Sequence, residues 1–382
     1  TPGTKFYVQL ERYNNFGTGD PLNLAAEAGS PVWRFAWIDF AIPDTALNLK
    51  LGRQPLTYGH GNTFDSTVYG ADALQAYGTF NGVMASLAAV KLRETDVVGT
   101  AGVGDDRDLY ALSLGFEPAK GHALEVYIQN HRDNDTAVTA ASLSSQKSTA
   151  SGITGGGADE YTIGVAWTGK YGATTAKTEL AFQTGTAYTR AADNKDIDRQ
   201  AWGVRAAVDH KIDIFTIGLD FGYGSGQDKD PTLTATTKDK GFYQPYYVDG
   251  GSWLMTTDLG NPGSFTLGDG TTSRKFTFTG LNNVWFVTAK GKAAVTKTWT
   301  LNAFLTYLNA VETYDGMGGI SGKPDKELGW DIGGIATWKP NKFLAVNGYL
   351  GWFIPGDYFT DKVTSPRDDN AFIARAEAVV TF

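Results

Sequence analysis

Residues 47–54, LNLKLGRQ, set leucine at every second position, so that Leu47, Leu49 and Leu51 share one face of a strand and Asn48, Lys50, Gly52 and Gln54 the other. The same period of two runs through KFYVQLERY (5–13), DLYALSLGFE (108–117), HALEVYIQNH (122–131), EYTIGVAWTG (160–169), IDIFTIGLDFGYG (212–224) and NAFIARAEAVVTF (370–382), and a helical period is almost absent. These runs span about 9 to 13 residues, against the five or six of an ordinary strand. A strand tilted about 45° across a bilayer needs roughly 9 to 11. A sheet with one greasy and one wet face, built from strands of that length, fits a lipid-embedded barrel better than a sandwich, whose polar face would lie in bulk water.

The connectors sharpen this. About sixteen strands are predicted, near 4–14, 31–42, 46–57, 71–80, 83–95, 107–117, 122–132, 159–169, 175–186, 198–209, 212–225, 280–293, 296–309, 326–338, 342–354 and 370–382. Every second link is tight (PDT, FNG, AKG, KYGAT, HK, VTK, KPN), and the others are long and polar. Short turns at one end and long loops at the other are the pattern of outer-membrane barrels. An even count puts both termini at the short-turn end, and the alternating last strand closes on an aromatic, Phe382. Trp33, Trp167, Trp285, Trp299, Trp338, Trp352 and Tyr349 sit near strand ends, where amphipathic rings form interfacial girdles. The expected fold is all-β: a single-domain transmembrane antiparallel up-and-down barrel over 1–382, with eighteen strands as the alternative count. Lys50 and Gln54 then face a watery lumen, and the leucines face lipid.

Composition agrees. No run approaches the 18 to 20 apolar residues of a spanning helix. Aromatics reach 13%, glycine 47 residues and charged residues only 19% of 382. Cysteine is absent, which excludes disulfides, cysteine zinc sites and thiol catalysis, and suits a chain that crosses an oxidising periplasm. A net charge of -8 argues against nucleic acid as a partner. The chain starts at Thr1, which reads as a mature form whose signal peptide has been removed.

LGRQPLTYGHGNTF (51–64) resembles the strand-to-loop signature of the alginate-export family of outer-membrane barrels. LDFGYGSGQDKDPT (219–232) and FYQPYYVDGGSW (242–253) are similar to later segments of that family. The resemblance covers about a fifth of the chain and implies a β-barrel channel. Family members are typically eighteen-stranded, and the alginate exporter has a cationic pore. The family also contains general porins.

Strand parity lists the wall of the lumen. Basic candidates are Arg34, Lys50, Lys91, Arg93, Lys177, Arg205, Lys290 and Arg375; acidic ones are Glu11, Glu125, Glu160, Glu179, Asp220, Asp331 and Glu377. Walls of opposite sign could orient a dipolar or anionic solute, or the charges could pair across strands and keep the wall hydrated. Arg53 has the parity of the leucines; it lies at the rim unless a bulge near Pro55 turns it inward, as the family resemblance implies. The loop 226–279 is expected to narrow the pore, with Tyr243, Tyr246, Tyr247 and Trp253 against the inner wall. The Ser/Thr/Ala/Gly-rich stretch 133–158 is expected to be a mobile surface loop.

These features predict an outer-membrane porin of a Gram-negative bacterium, for passive diffusion of small hydrophilic solutes, anions among them. The alternative is a dedicated channel for an acidic polysaccharide or organic acid. Expected partners are outer-membrane lipid and lipopolysaccharide, with a monomer or a homotrimer as the assembly. An enzymatic barrel would need a nucleophile beside a base, and only His60, near Asp65 and Ser66, offers one. A plugged barrel serving as an adhesin is the third reading. No cofactor is expected; acidic loop clusters (Asp105, Asp106, Asp108; Asp228, Asp230) are the candidate calcium ligands.

Overall fold

The computed structural model describes residues 3–11, 32–67, 70–93, 106–133, 157–190, 193, 195–229, 236–244, 265–267, 276–278, 280–317, 321–361 and 369–380. Alternation becomes sheet throughout. Sixteen long strands among these residues, from Lys5–Glu11 to Ala371–Val380, each pair antiparallel with their neighbours in sequence. The two residues Lys238–Asp239 add in parallel to Lys195–Ile212 and bring the sheet to seventeen. No described helix is long and apolar enough to cross a membrane. The chain is an up-and-down β-barrel. One tight link shows how locally the order is set: Phe80 faces Val83 across Asn81 and Gly82, both at positive φ (50° and 83°), as a hairpin twisted like its strands requires.

The inside of the barrel is identified by chords across it. The tip of 55–70 reaches strands His122–Asp133 and Thr174–Arg190, so the face it touches is the lumen. That face carries Tyr127, Gln129, Glu179 and Gln183, all buried. The opposite face is apolar and exposed: Leu87, Leu112, Ile128, Ile163, Phe182 and Trp202 follow one another strand by strand as direct cross-strand partners. Stacked rings share this outward face, Trp299 on Trp338 at the short turns and Trp202 of the belt on Tyr223. Tyr349 does not join the girdles; its hydroxyl points inward and donates to Glu377 at 2.9 Å.

Two strands run well past bilayer length, Thr174–Arg190 with 17 residues and Lys195–Ile212 with 18. The extra length of the second pairs with Lys238–Asp239, folded into the barrel. At this end the outward face changes character. Arg53, Asp72, Lys91, Asp108, Arg132 and Asp159 are successive cross-strand partners, alternating in charge over six strands. Arg53 lies 3.2 Å from Asp72, Lys91 3.0 Å from Asp108 and Arg132 3.8 Å from Asp159.

Two lumen assignments are thereby corrected, and a third, Arg34, loses its basis in parity. Lys91 and Arg53 belong to this outward row. In the strand of Lys91 it is Ser86, Ala88 and Val90 that are buried inside; both faces of Val83–Arg93 are apolar, which hides the parity. Arg53 keeps the parity of Leu47, Leu49 and Leu51 through Gly52 (φ 111°), where a Cβ would collide with the Ala36 carbonyl oxygen. Arg34 is the extra residue of a bulge: Gln9 faces Phe35 and Leu10 faces Trp33, so alternation does not run through it. The side chains of Glu11 and Arg93 lie outside the described residues, as do most of 133–158, Asp105, Asp230, Tyr246, Tyr247 and Trp253.

Candidate functional site

The stretch that begins LNLKLGRQ leads into the first of two walls folded into the barrel. Gln54 turns inward and donates from Nε2 to the carbonyls of Ala73 (2.9 Å) and Lys50 (3.3 Å). Ser66 Oγ accepts the Leu56 N–H at 2.8 Å. Between them Thr57–Tyr58 pairs with Phe64–Asp65 in a small hairpin. Its underside, Leu56, Tyr58 and Phe64, packs on Ala71, Ala73, Ala88, Val90, Leu109, Ala111 and Tyr127. These are lumen positions, and small apolar residues there leave room for the hairpin.

The turn at its tip, Gly59-His60-Gly61-Asn62, meets two carboxylates. Glu125 Oε2 accepts the Gly59 N–H at 3.2 Å. Glu179 Oε2 accepts the His60 N–H at 2.7 Å and the Asn62 amide at 2.9 Å, while its Oε1 accepts the Tyr127 hydroxyl at 2.5 Å. His60 Nε2 lies 3.0 Å from the Trp167 carbonyl, which only accepts, so this nitrogen carries a hydrogen. Burial pushes the His60 pKa down; Lys177 and Arg205 add to this, and the bond to Trp167 opposes it. Burial, with Glu125 close by, pushes the Tyr58 phenol up.

The second wall is 236–244, within the loop expected to constrict. Arg199, buried, lies 2.6 Å from Glu160 and 2.9 Å from Asp239, and donates to the Gly241 carbonyl at 3.0 Å. Tyr243, under the Arg199 guanidinium, exchanges two bonds with the Gln183 amide (2.6 and 2.8 Å). Burial pushes its phenol up as well. Phe242 packs with Leu281, Phe286, Tyr314, Met317, Tyr358 and Phe359, so that the short helix Asp357–Thr360 also enters the barrel. The walls join where the Gln244 amide donates to the Asn62 carbonyl. Of the loop expected to constrict, 226–279, the described residues 236–244 thus meet the tip of the hairpin inside the barrel.

Toward the short turns the lumen keeps its charges. Arg205 grips Asp220 with two bonds, 2.8 and 3.1 Å. Lys290 pairs with Asp209 at 3.1 Å. Lys50 lies over the Trp37 ring at 4.2 Å, beside Asp39, whose carboxylate accepts the Tyr77 hydroxyl. Arg375 lies 3.6 Å from Glu377 and over the Tyr349 ring. Asp331 is buried. Lys177, on the lumen register, is exposed and has no carboxylate within 4 Å among the described residues.

Parity thus places Lys50, Glu125, Lys177, Glu179, Arg205, Asp220, Lys290, Asp331, Arg375 and Glu377 on the inner wall; the hairpin and its two carboxylates are brought together only by the fold. Missed were Arg199, Asp239, Asn62, Gln183 and Gln244. Arg199 shares the register of Arg205 and was available to the same rule. Inward alanines at 71, 73, 88 and 111 are a further signal, because a wet lumen has no use for them.

Other chemistries find little. Ser66 is engaged with Leu56, Asp65 with the Thr67 N–H and hydroxyl, and His60 with Trp167, so the three do not form a nucleophile and its base. Asp106 and Asp108 are taken by Lys91 and Asp228 by Lys240. Among the described residues no group of three His, Asp or Glu could hold a metal ion.

An apolar belt outside, a charged lumen inside and segments folded across it define a barrel of the outer-membrane type. Solved structures with this fold include Pseudomonas aeruginosa OpdK with vanillate, at TM-score 0.56 and 12% identity over 99% of this chain and 88% of that one. P. aeruginosa OccK1 (OpdK) follows at 0.52 and 11%, over 94% and 81%. P. aeruginosa OpdQ stands at 0.51 and 10%, over 90% and 78%. These are outer-membrane porins of Pseudomonas; at such identity the likeness is one of fold. No protein-family profile and no curated protein matches the chain. The alginate-export resemblance is accordingly not supported. Its residues have local reasons here: Gly52 for its positive φ, Gln54 for the carbonyls it caps.

Proposed function

We propose that the chain forms a water-filled channel through the outer membrane of a Gram-negative bacterium, for passive diffusion of small hydrophilic solutes. The observation that carries this is the pair of inward segments, the hairpin 55–67 and residues 236–244, set in a lumen whose remaining wall bears Lys177, Arg205, Asp220 and Lys290. A chain meant only to anchor a surface has no need of charges below such a constriction. The channel, and not an enzyme, is what the engaged Ser66 and His60 side chains favour.

Lysine and arginine at the narrow level extend the reading to anions, and a dedicated channel for an organic acid is its second form. The support for that form is the OpdK structure with vanillate, a small aromatic carboxylate, together with exposed Lys177. The partners are outer-membrane lipid and lipopolysaccharide, and the assembly is a monomer or a homotrimer of single-barrel chains. Planar-bilayer conductance under a salt gradient tests the reading: a stable current with a reversal potential is expected, and an electrically silent protein refutes it.

A further inference from the structure

We propose that Glu179 is the positioning residue that sets the narrowest cross-section of this channel: a buried carboxyl anchor that holds the Gly59–Asn62 turn in the lumen. The inference rests on the channel reading. Three donors converge on the Glu179 carboxylate, the His60 N–H, the Asn62 amide and the Tyr127 hydroxyl, at 2.5 to 2.9 Å. The side chain is 1% exposed. A carboxylate at that depth is tolerable only with such partners, and two of the three belong to the hairpin.

The hairpin is shaped for the approach. Gly59 has φ 61°, and a Cβ there would press on the Glu179 carboxylate, so only glycine lets the backbone come this close. Glu125 takes the neighbouring N–H and prevents the turn from pivoting. Because the Asn62 carbonyl also accepts from Gln244, the anchor fixes the second wall through the first. Withdrawn from the lumen, the hairpin would leave Glu179 in water, where a carboxylate is stable. The seated and withdrawn arrangements therefore differ by a handful of hydrogen bonds and one apolar underside, and the barrel strands are common to both.

The chain has no cysteine, so a single thiol reports position cleanly. Thr63, within the hairpin next to the turn, is fully buried against Tyr127 and Gln129. T63C in lipid vesicles should react slowly with a small methanethiosulfonate, and T63C/E179A about tenfold faster or more, what the loss of even one charge-assisted hydrogen bond amounts to. Single-channel conductance of E179A should rise in parallel. Acetate, which fits the space left by the side chain, should slow the labelling again, and chloride at equal ionic strength should not. E179Q, of the same size, serves if E179A does not insert, and should also label faster than its parent. Unchanged labelling in both variants overturns the anchor. Faster labelling at unchanged conductance overturns its control of the cross-section. A parent protein that conducts nothing overturns the channel reading instead, while the labelling comparison still decides the anchor.

Discussion

Glu179 and Arg205 are direct cross-strand partners, and each is committed elsewhere. Glu179 accepts from the hairpin turn, and Arg205 reaches one row toward the short turns to grip Asp220. A salt bridge between neighbours would have made a hydrated stretch of wall. Splitting them places an anchored loop and a cation–anion pair at the same level of the pore, where a permeating ion passes closest to both.

The first prediction concerns that level. R205A leaves Asp220 without its bidentate partner, and the reversal potential in a salt gradient should move toward cation preference. R53A is the control. Arg53 is on the outside, half-exposed and paired with Asp72, so selectivity should stay as in the parent.

The outward row of alternating charge should matter little to stability. Exposed ion pairs contribute roughly 0 to 1 kcal/mol, so K91A should shift the unfolding midpoint in detergent only slightly, although it removes contacts to Asp106 and Asp108. A large loss would mean that the row is buried against something.

Arg199 is the opposite case. R199A would leave Glu160 and Asp239 buried without their cation, and breaking such a pair costs about 3 to 5 kcal/mol. Chemical denaturation of the variant should show a loss of that order, with 236–244 becoming sensitive to protease before the barrel does.

Lysine at Ile128, on the lipid face, should destabilise by about 2 to 4 kcal/mol. Gln129, its neighbour on the inner face, is unsuited as the control because it is buried and donates to Thr63 at 3.1 Å. Thr216, on the open inner wall, is the proper one, and T216K should cost little. Equal losses at 128 and 216 would reverse the assignment of inside and outside.

The His60 ring should make the constriction acid-sensitive. Its pKa is lowered when the hairpin is seated, so the withdrawn hairpin binds the proton more tightly. The His60 contribution to seating is therefore full above the ordinary histidine value of about 6.5 and is lost as the pH falls from there toward the lowered value. Conductance recorded from pH 7.5 to 5 should rise more in the parent than in H60N. Identical curves would assign the acid response to other groups.

The amino-acid sequence by itself determined the strands, their number, the tight and long ends and most of the face assignments, because a period of two is a local property: each side chain's face follows from its neighbour's. It misled where one residue of irregularity or a second apolar face intervened. The bulge at Arg34 and the alanine-lined inside of Val83–Arg93 each break the link between parity and side, whereas Arg53 keeps the parity of its leucines and only the family resemblance turned it inward. Only the tertiary structure decided what fills the pore. His60 and Glu179 are 119 positions apart, and Asn62 and Gln244 are 182 apart. No repeat or spacing connects such residues; curling the sheet until a chord from one wall reaches the other is what brings the hairpin to its carboxylate.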